Sequence, residues 1–382
     1  MSENEILNVA RVKPVDAPIQ HEEPFLAELL QASRLIRVNQ ARTAYKVDGA
    51  GTTVAVLDTG LRTSHSDFAG RVAAQRNFTE DNGGDPDDAT DGQGHGTNVG
   101  GIICAGDIHI GMAPGARIIP LKVLSNDGGG SFQSVADALQ WVIDHRAEFD
   151  ISAVCMSLGD SGNYQSDGQF ANDAVGLRIR QLSLLGVVCC IAAGNDYFVH
   201  NSAQGMGYPA IFRDSLSVGA VYDEDEGGFR YQSGAEAFAT GPDRITPFSQ
   251  RLHEKIGATC STDIFAPGAP MTSSGILNDI GESVQHGTSQ ATPVITGIVL
   301  LLQSLHRRAT GRLPSVADLR GWLQRGAVAI QDGDDEQDNV LHTGLAFQRV
   351  DALAALSACA KDIAKAALAA GEAGKAELGR AA

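Results

Sequence analysis

From about residue 291 to residue 302 the chain is apolar on every side, the pattern of a helix buried all round rather than of an amphipathic surface helix. Gly287, Thr288 and Ser289 form a tight turn just before it. The pattern therefore predicts a core helix with Ser289 at its N-terminus, and Pro293 falls near its start, where a missing N–H costs least. Upstream, continuous apolar runs predict strands at residues 54–57, 118–123, 151–158 and 187–193. Between them, residues 131–143 carry Val135, Leu139 and Val142 on one helical face, and residues 170–185 form a second helix stopped by Gly186. This alternation predicts an α/β fold: a mostly parallel sheet with helices on both faces. Its carboxyl edge would carry Asp58, Ser157 to Gly159 and Asn195 together.

The flanks follow a different pattern. Residues 1–33 are polar, contain Pro14, Pro18 and Pro24, and end in a short helical stretch, FLAELLQAS. They form an extension rather than a domain, either a flexible arm or an extended segment lying in a substrate cleft. Residues 221–244 interrupt the alternation and read as a long surface loop, and residues 357–382 form an Ala-rich tail without assigned chemistry. The main domain then spans residues 34–356.

Composition narrows the partners. With 382 residues and 43% apolar content the chain can bury a sizeable core. Forty-six acidic against 29 basic side chains give a formal charge of −17, which disfavours nucleic acid and anionic membranes. No run approaches the ~18 uninterrupted apolar residues of a membrane span, and the N-terminus shows neither a basic start nor an apolar h-region. Cytoplasm is the default location. The six cysteines lack metal-ligand spacing and sit mostly in apolar runs, as reduced core residues do.

Three further residues carry candidate chemistry beside Ser289. Asp58 ends a strand; His95 stands between Gly94 and Gly96, small neighbours that should leave its ring accessible; Asn195 follows Gly194 at a strand end and offers an amide donor. Each has an ordinary structural role on its own: a turn cap, a core histidine, a turn residue. Together they supply an orienting acid, a base, a nucleophile and an anion donor.

The stretches VAVLDTG, GHGTNVGG, AAGND and HGTSQATP resemble the motifs of the subtilisin-like serine proteases, the subtilases of peptidase family S8, as do MSLG, GYPA, FAPG and RVDALAAL. The resemblance covers about residues 35–356 in the family's order. It implies a three-layer α/β/α subtilisin-like fold and a serine endopeptidase acting on peptides or proteins, with Asp58, His95 and Ser289 as triad and Asn195 in the oxyanion hole. Ser157, Leu158 and Gly159 would pair with substrate, and Gly194 and Gly207 would border the primary specificity pocket. Two positions depart from the family: Asn98 replaces a histidine, and Gln290 replaces the methionine after the serine. The chemistry requires no cofactor and no metal. Calcium enters only as an optional ligand, beside Asp67 or in the acidic loop of residues 81–91, which reads equally as solvated turns. The absence of a signal segment points to the intracellular branch, with the physiological substrate and the oligomeric state left open. A catalytically silent peptide-binding protein is the alternative reading.

Overall fold

The structure is a computed structural model that describes residues 6–8, 20–21, 28–257 and 259–380. A nine-stranded sheet runs in the order Val328–Gln331, Ala346–Arg349, Ile264–Ala269, Leu216–Tyr222, Val188–Ala192, Ile151–Met156, Thr53–Asp58, Arg117–Lys122, Arg76–Asn77. Only the first pair is antiparallel; every other neighbour is parallel.

Side-chain alternation along the strands sorts the core into two sides. In Thr53–Asp58, Val54 and Val56 join the cluster containing Val99, Ile102, Ile298 and Val299, while Ala55 and Leu57 join the one containing Leu139, Val142, Ile179 and Leu182. Helices His95–Cys104, Thr288–Thr310 and the last helix, Ala352–Arg380, thus cover one face, and Phe132–Phe149 and Ala174–Leu184 cover the other. The fold is the three-layer α/β/α arrangement expected. Burial on both faces also explains why the central strands read as unbroken apolar runs.

Helix Thr288–Thr310 starts earlier than the apolar run suggests, which puts Ser289 inside its first turn and Pro293 beyond it. Pro293 therefore does deprive the helix of an internal bond, the one that would end on the Ser289 carbonyl. Ser157 Oγ donates to that carbonyl at 2.7 Å, so the proline's lost donor is replaced by the neighbouring strand end. This helix is the one span long and apolar enough to cross a membrane among the described residues, and its apolar window is 94% buried inside the protein.

Residues 221–244 are not simply a surface loop. They contain a short hairpin, Phe229–Arg230 against Glu236–Ala239, whose Tyr231, Ala235 and Ala237 enter the core. Tyr231 is held there by an edge contact with Phe248 and by its hydroxyl, 2.8 Å from that of Tyr222. At the C-terminus the helix begins at Ala352, crosses residue 357 without a break, and buries Cys359. Helix Glu28–Leu35 likewise packs Leu29 and Ala32 into the core. Two pieces of the preceding extension pair with the domain: Ile6–Asn8 runs antiparallel to Gly129–Ser131, and Gln20–His21 runs antiparallel to the strand Glu282–Gln285. The remainder of the expected arm lies outside the described residues.

Candidate active site

Asp58, His95, Ser157, Asn195 and Ser289 each stand at or just beyond the end of a central strand or core helix. Asp58 is the last residue of its strand, Ser157 and Asn195 follow neighbouring strands, and His95 and Ser289 open helices on one face. His95 Nδ1 lies 2.7 Å from Asp58 Oδ1, which also accepts the Thr59 N–H at 2.7 Å. The carboxylate thereby fixes the ring with Nδ1 as donor and leaves Nε2 as the basic nitrogen. That Nε2 is buried and has no hydrogen-bond partner. Ser289 Oγ donates to the Ser157 carbonyl oxygen at 3.1 Å, so the hydroxyl is held beside the strand edge rather than on the imidazole.

His95 is not accessible as its glycine neighbours suggest: it, Asp58 and Ser289 are all fully buried. The glycines work in the opposite sense. A Cβ on Gly96 would come within 2.2 Å of the Gly60 carbonyl oxygen and 3.2 Å of Asp58 Cβ, so the missing side chain lets the helix start settle onto the strand end. Asp91, which in the sequence is only part of an acidic loop, locks this arrangement. Its carboxylate accepts from the N–H groups of Gln93, Gly94 and Thr97 and from the hydroxyls of Thr59 and Thr97, and Thr59 Oγ1 in turn accepts the Gly96 N–H. The one signal of this role in the sequence is its place four residues before His95.

Asn195 turns its Oδ1 toward Thr288, accepting the N–H at 2.9 Å and the hydroxyl at 3.0 Å. This fixes the amide so that Nδ2 faces away, buried and without a partner. A buried amide N–H without an acceptor is costly, and such orphans mark places where a ligand group completes the bonding. Leu158, Gly159, Gly194 and Gly207 are buried around this point, with the Gly207 N–H on the Ala193 carbonyl at 2.8 Å and the Asp160 N–H on that of Tyr208 at 2.9 Å.

The two departures from the family pattern meet one another. Gln290 Nε2 reaches Asn98 Oδ1 at 3.4 Å and Gln285 Oε1 at 3.3 Å, while Asn98 Nδ2 donates to the Ser283 carbonyl at 2.9 Å. A polar pair thus joins the helix of His95 to that of Ser289. His286, three residues before Ser289, is no rival base. Burial pushes its pKa down to about 3, and its ring packs edge-on against Phe229.

At both places considered for calcium the carboxylates already accept protein donors. Asp67 already accepts from the His109 N–H at 3.0 Å, His109 Nδ1 at 2.7 Å and Ser274 Oγ at 2.6 Å. Burial opposes the charge on His109, but its bonds to Asp67 and Glu282 outweigh burial and raise its pKa, so a basic ring lies between these two carboxylates. In the acidic loop, Asp81 takes Lys122 Nζ and the Asn126 N–H, Asp85 takes the Asp87 N–H and Asp88 takes the Thr90 N–H. These carboxylates cap turns.

The family model of the Subtilase family matches residues 49–347. An intracellular serine protease of Paenibacillus polymyxa is 29% identical over 324 residues, covering 84% of this chain and 85% of its own. The major intracellular serine protease of Bacillus subtilis is 28% identical, covering 73% and 76%, and a subtilisin of a Bacillus species is 30% identical, covering 72% and 61%. A three-layer fold whose sheet edge gathers Asp58, His95, Asn195 and Ser289, matched by the family's model over most of the chain, makes this protein a member of the subtilase family.

Proposed function

We propose that the protein is a serine endopeptidase that hydrolyses peptide bonds through an acyl-enzyme on Ser289. The observation that carries the reading is the His95–Asp58 contact of 2.7 Å with the far imidazole nitrogen left bare. Ser289 Oγ leaves the Ser157 carbonyl and bonds to the substrate carbonyl carbon as its proton passes to His95 Nε2. The carbonyl π pair moves onto oxygen, and Asn195 Nδ2 and the Ser289 backbone N–H bind that oxyanion. Collapse breaks the C–N bond, and the leaving amine takes the proton from His95. Water, deprotonated by His95, then releases the acid and restores Ser289.

Intact mass after exposure to a fluorophosphonate tests the reading. A single adduct is expected on the natural chain and none on Ser289→Ala. No adduct on the full chain or on a shortened one would leave a silent peptide-binding protein. Asn195→Ala should lower kcat about 10²- to 10³-fold with little change in KM, the magnitude known for the equivalent donor of subtilisin. An unchanged kcat would remove Asn195 from the oxyanion site.

The cytoplasmic setting and action on a particular peptide or protein precursor belong to the same proposal, supported by the names of the two intracellular relatives. The N-terminal extension is proposed as an arm over the cleft. Its support is the pairing of residues 6–8 with Gly129–Ser131 and of residues 20–21 beside the strand leading to Ser289, together with the full burial of the triad. Deleting residues 1–21 leaves helix Glu28–Leu35 in the core and should raise the initial rate on a short peptide several-fold. An equal rate with and without the arm counts against occlusion.

A further inference from the structure

Beside Gly194 and Gly207, the glycines expected to border the specificity pocket, stand more acceptors than the catalytic chemistry needs. Asp160 follows Gly159 directly, and its Oδ1 lies 3.6 Å from the position a Cβ would take on Gly207. That oxygen accepts the N–H groups of Gly162 and Tyr208, and Oδ2 accepts the Tyr164 hydroxyl at 2.8 Å. All these donors are neutral, so none of them cancels the charge of the carboxylate. Asp196, next to Asn195, is a second half-buried carboxylate, near enough to Asp160 for their charges to interact. Burial is the main force raising its pKa; the charge of His200, whose Nε2 donates to the Ser161 carbonyl, opposes it, and the weaker effect of Asp160 adds to it. Among the described residues neither carboxylate forms an ion pair with lysine or arginine.

A third acceptor is independent of these charges. Gln250 is fully buried and its Nε2 is spent on the Gly162 carbonyl at 3.0 Å and Asn163 Oδ1 at 2.8 Å. Its Oε1 is buried without any partner. That oxygen rests on Gly194, only 1.9 Å from where a Cβ would stand, and Gly194 has φ +114°, so glycine is required there on both counts. Two like charges and an orphaned carbonyl oxygen, all without donors from a cation, are unfavourable in the free protein. A side chain bearing several N–H donors and a positive charge satisfies all three at once.

We infer that Asp160, Asp196 and Gln250 make the pocket select a basic residue, lysine or arginine, on the acyl side of the cleaved bond. The inference rests on the proposed peptidase reading: the peptide carbonyl beside Asn195 Nδ2 belongs to the residue whose side chain enters this pocket. It adds what that reading leaves open, namely the substrate class. The acidic balance of the whole chain works in the same direction on the encounter rate.

The test uses the full-length protein and peptides that differ only at the residue before the cleaved bond: lysine, arginine, leucine, phenylalanine. Lysine and arginine peptides should exceed the apolar ones in kcat/KM by roughly tenfold or more. Asp196→Asn and Asp160→Asn should each cut that ratio by roughly tenfold while fluorophosphonate labelling of Ser289 persists. A preference for leucine or phenylalanine in the natural protein, or an unchanged ratio in both variants, would overturn the inference. To separate it from failure of the peptidase reading, product-like peptides ending in lysine or leucine are titrated into Ser289→Ala. Tighter binding of the lysine peptide supports the pocket assignment even if no labelling is seen, and equal binding refutes it even if labelling is complete.

Discussion

Ser289→Ala should abolish measurable peptide hydrolysis, a loss of about 10⁶-fold in kcat, while leaving the fold and its stability within ~1 kcal/mol of the natural protein. That size is the one known for the nucleophile of subtilisin. The geometry supplies the reason the loss should be clean. The lost hydroxyl donates to the Ser157 carbonyl, whereas the structural bond at this point, Ser157 Oγ to the Ser289 carbonyl, uses the backbone and survives. Helix Thr288–Thr310 keeps its start through the Thr288 bonds to Asn195. Because nucleophile and base act as one unit, Ser289→Ala combined with His95→Ala should cost little more than either alone. Activity measured with a fluorogenic peptide, beside unfolding curves, checks this. A residual rate within tenfold of the natural protein would place the nucleophile elsewhere.

How much of this site can be read from the chain depends on how local each signal is. Asp58, His95, Asn195 and Ser289 are legible because each stands at a glycine-marked junction where an apolar run ends, and alternation fixes the layers. The strand Leu216–Tyr222 is not, because no helix separates it from Asn195 and the pattern of the earlier strands does not repeat. The hairpin around Tyr231 looks polar because what buries it, Phe248 and His286, comes from later in the chain. Asp91, Gln250 and the Gln290–Asn98 pair are hidden for the same reason. Gln250 and the Gln290–Asn98 pair matter through partners that only the folded chain brings near, and Asp91 through its distant partner Thr59 as well as its local turn. The burial of His95 is equally silent in the sequence, because small neighbours admit backbone as readily as solvent.

Arg251→Ala should destabilise the protein by about 3–5 kcal/mol, the largest effect expected outside the catalytic residues. Arg251 and Asp332 are both fully buried, with Arg251 Nε 3.0 Å from Asp332 Oδ2. The guanidinium also donates to the Ser249 carbonyl at 3.1 Å and lies 3.6 Å above the ring of Tyr197. Removing it strands a buried carboxylate, which the Thr343 N–H at 2.8 Å and His342 at 3.1 Å cannot neutralise by themselves. Burial works against the ionised form of Asp332, yet Arg251, Thr343 and His342 outweigh it and hold the pKa below the ordinary carboxylate range. A depressed carboxylate contributes stability that is complete above its unfolded pKa of about 3.9 and is lost as pH falls through the folded value. The natural protein should therefore lose this contribution only in strong acid. Asp332→Ala should be costly too, since it leaves the guanidinium unpaired, but the double variant should cost well under the sum of the two singles, because neither charge is then abandoned. Tyr197 stands two residues after Asn195 and anchors its hydroxyl on the Leu341 carbonyl at 2.8 Å, so loosening Arg251 should also reduce kcat. Urea unfolding of both singles and the double decides the matter, and strict additivity would show that the pair is not a coupled ionic unit.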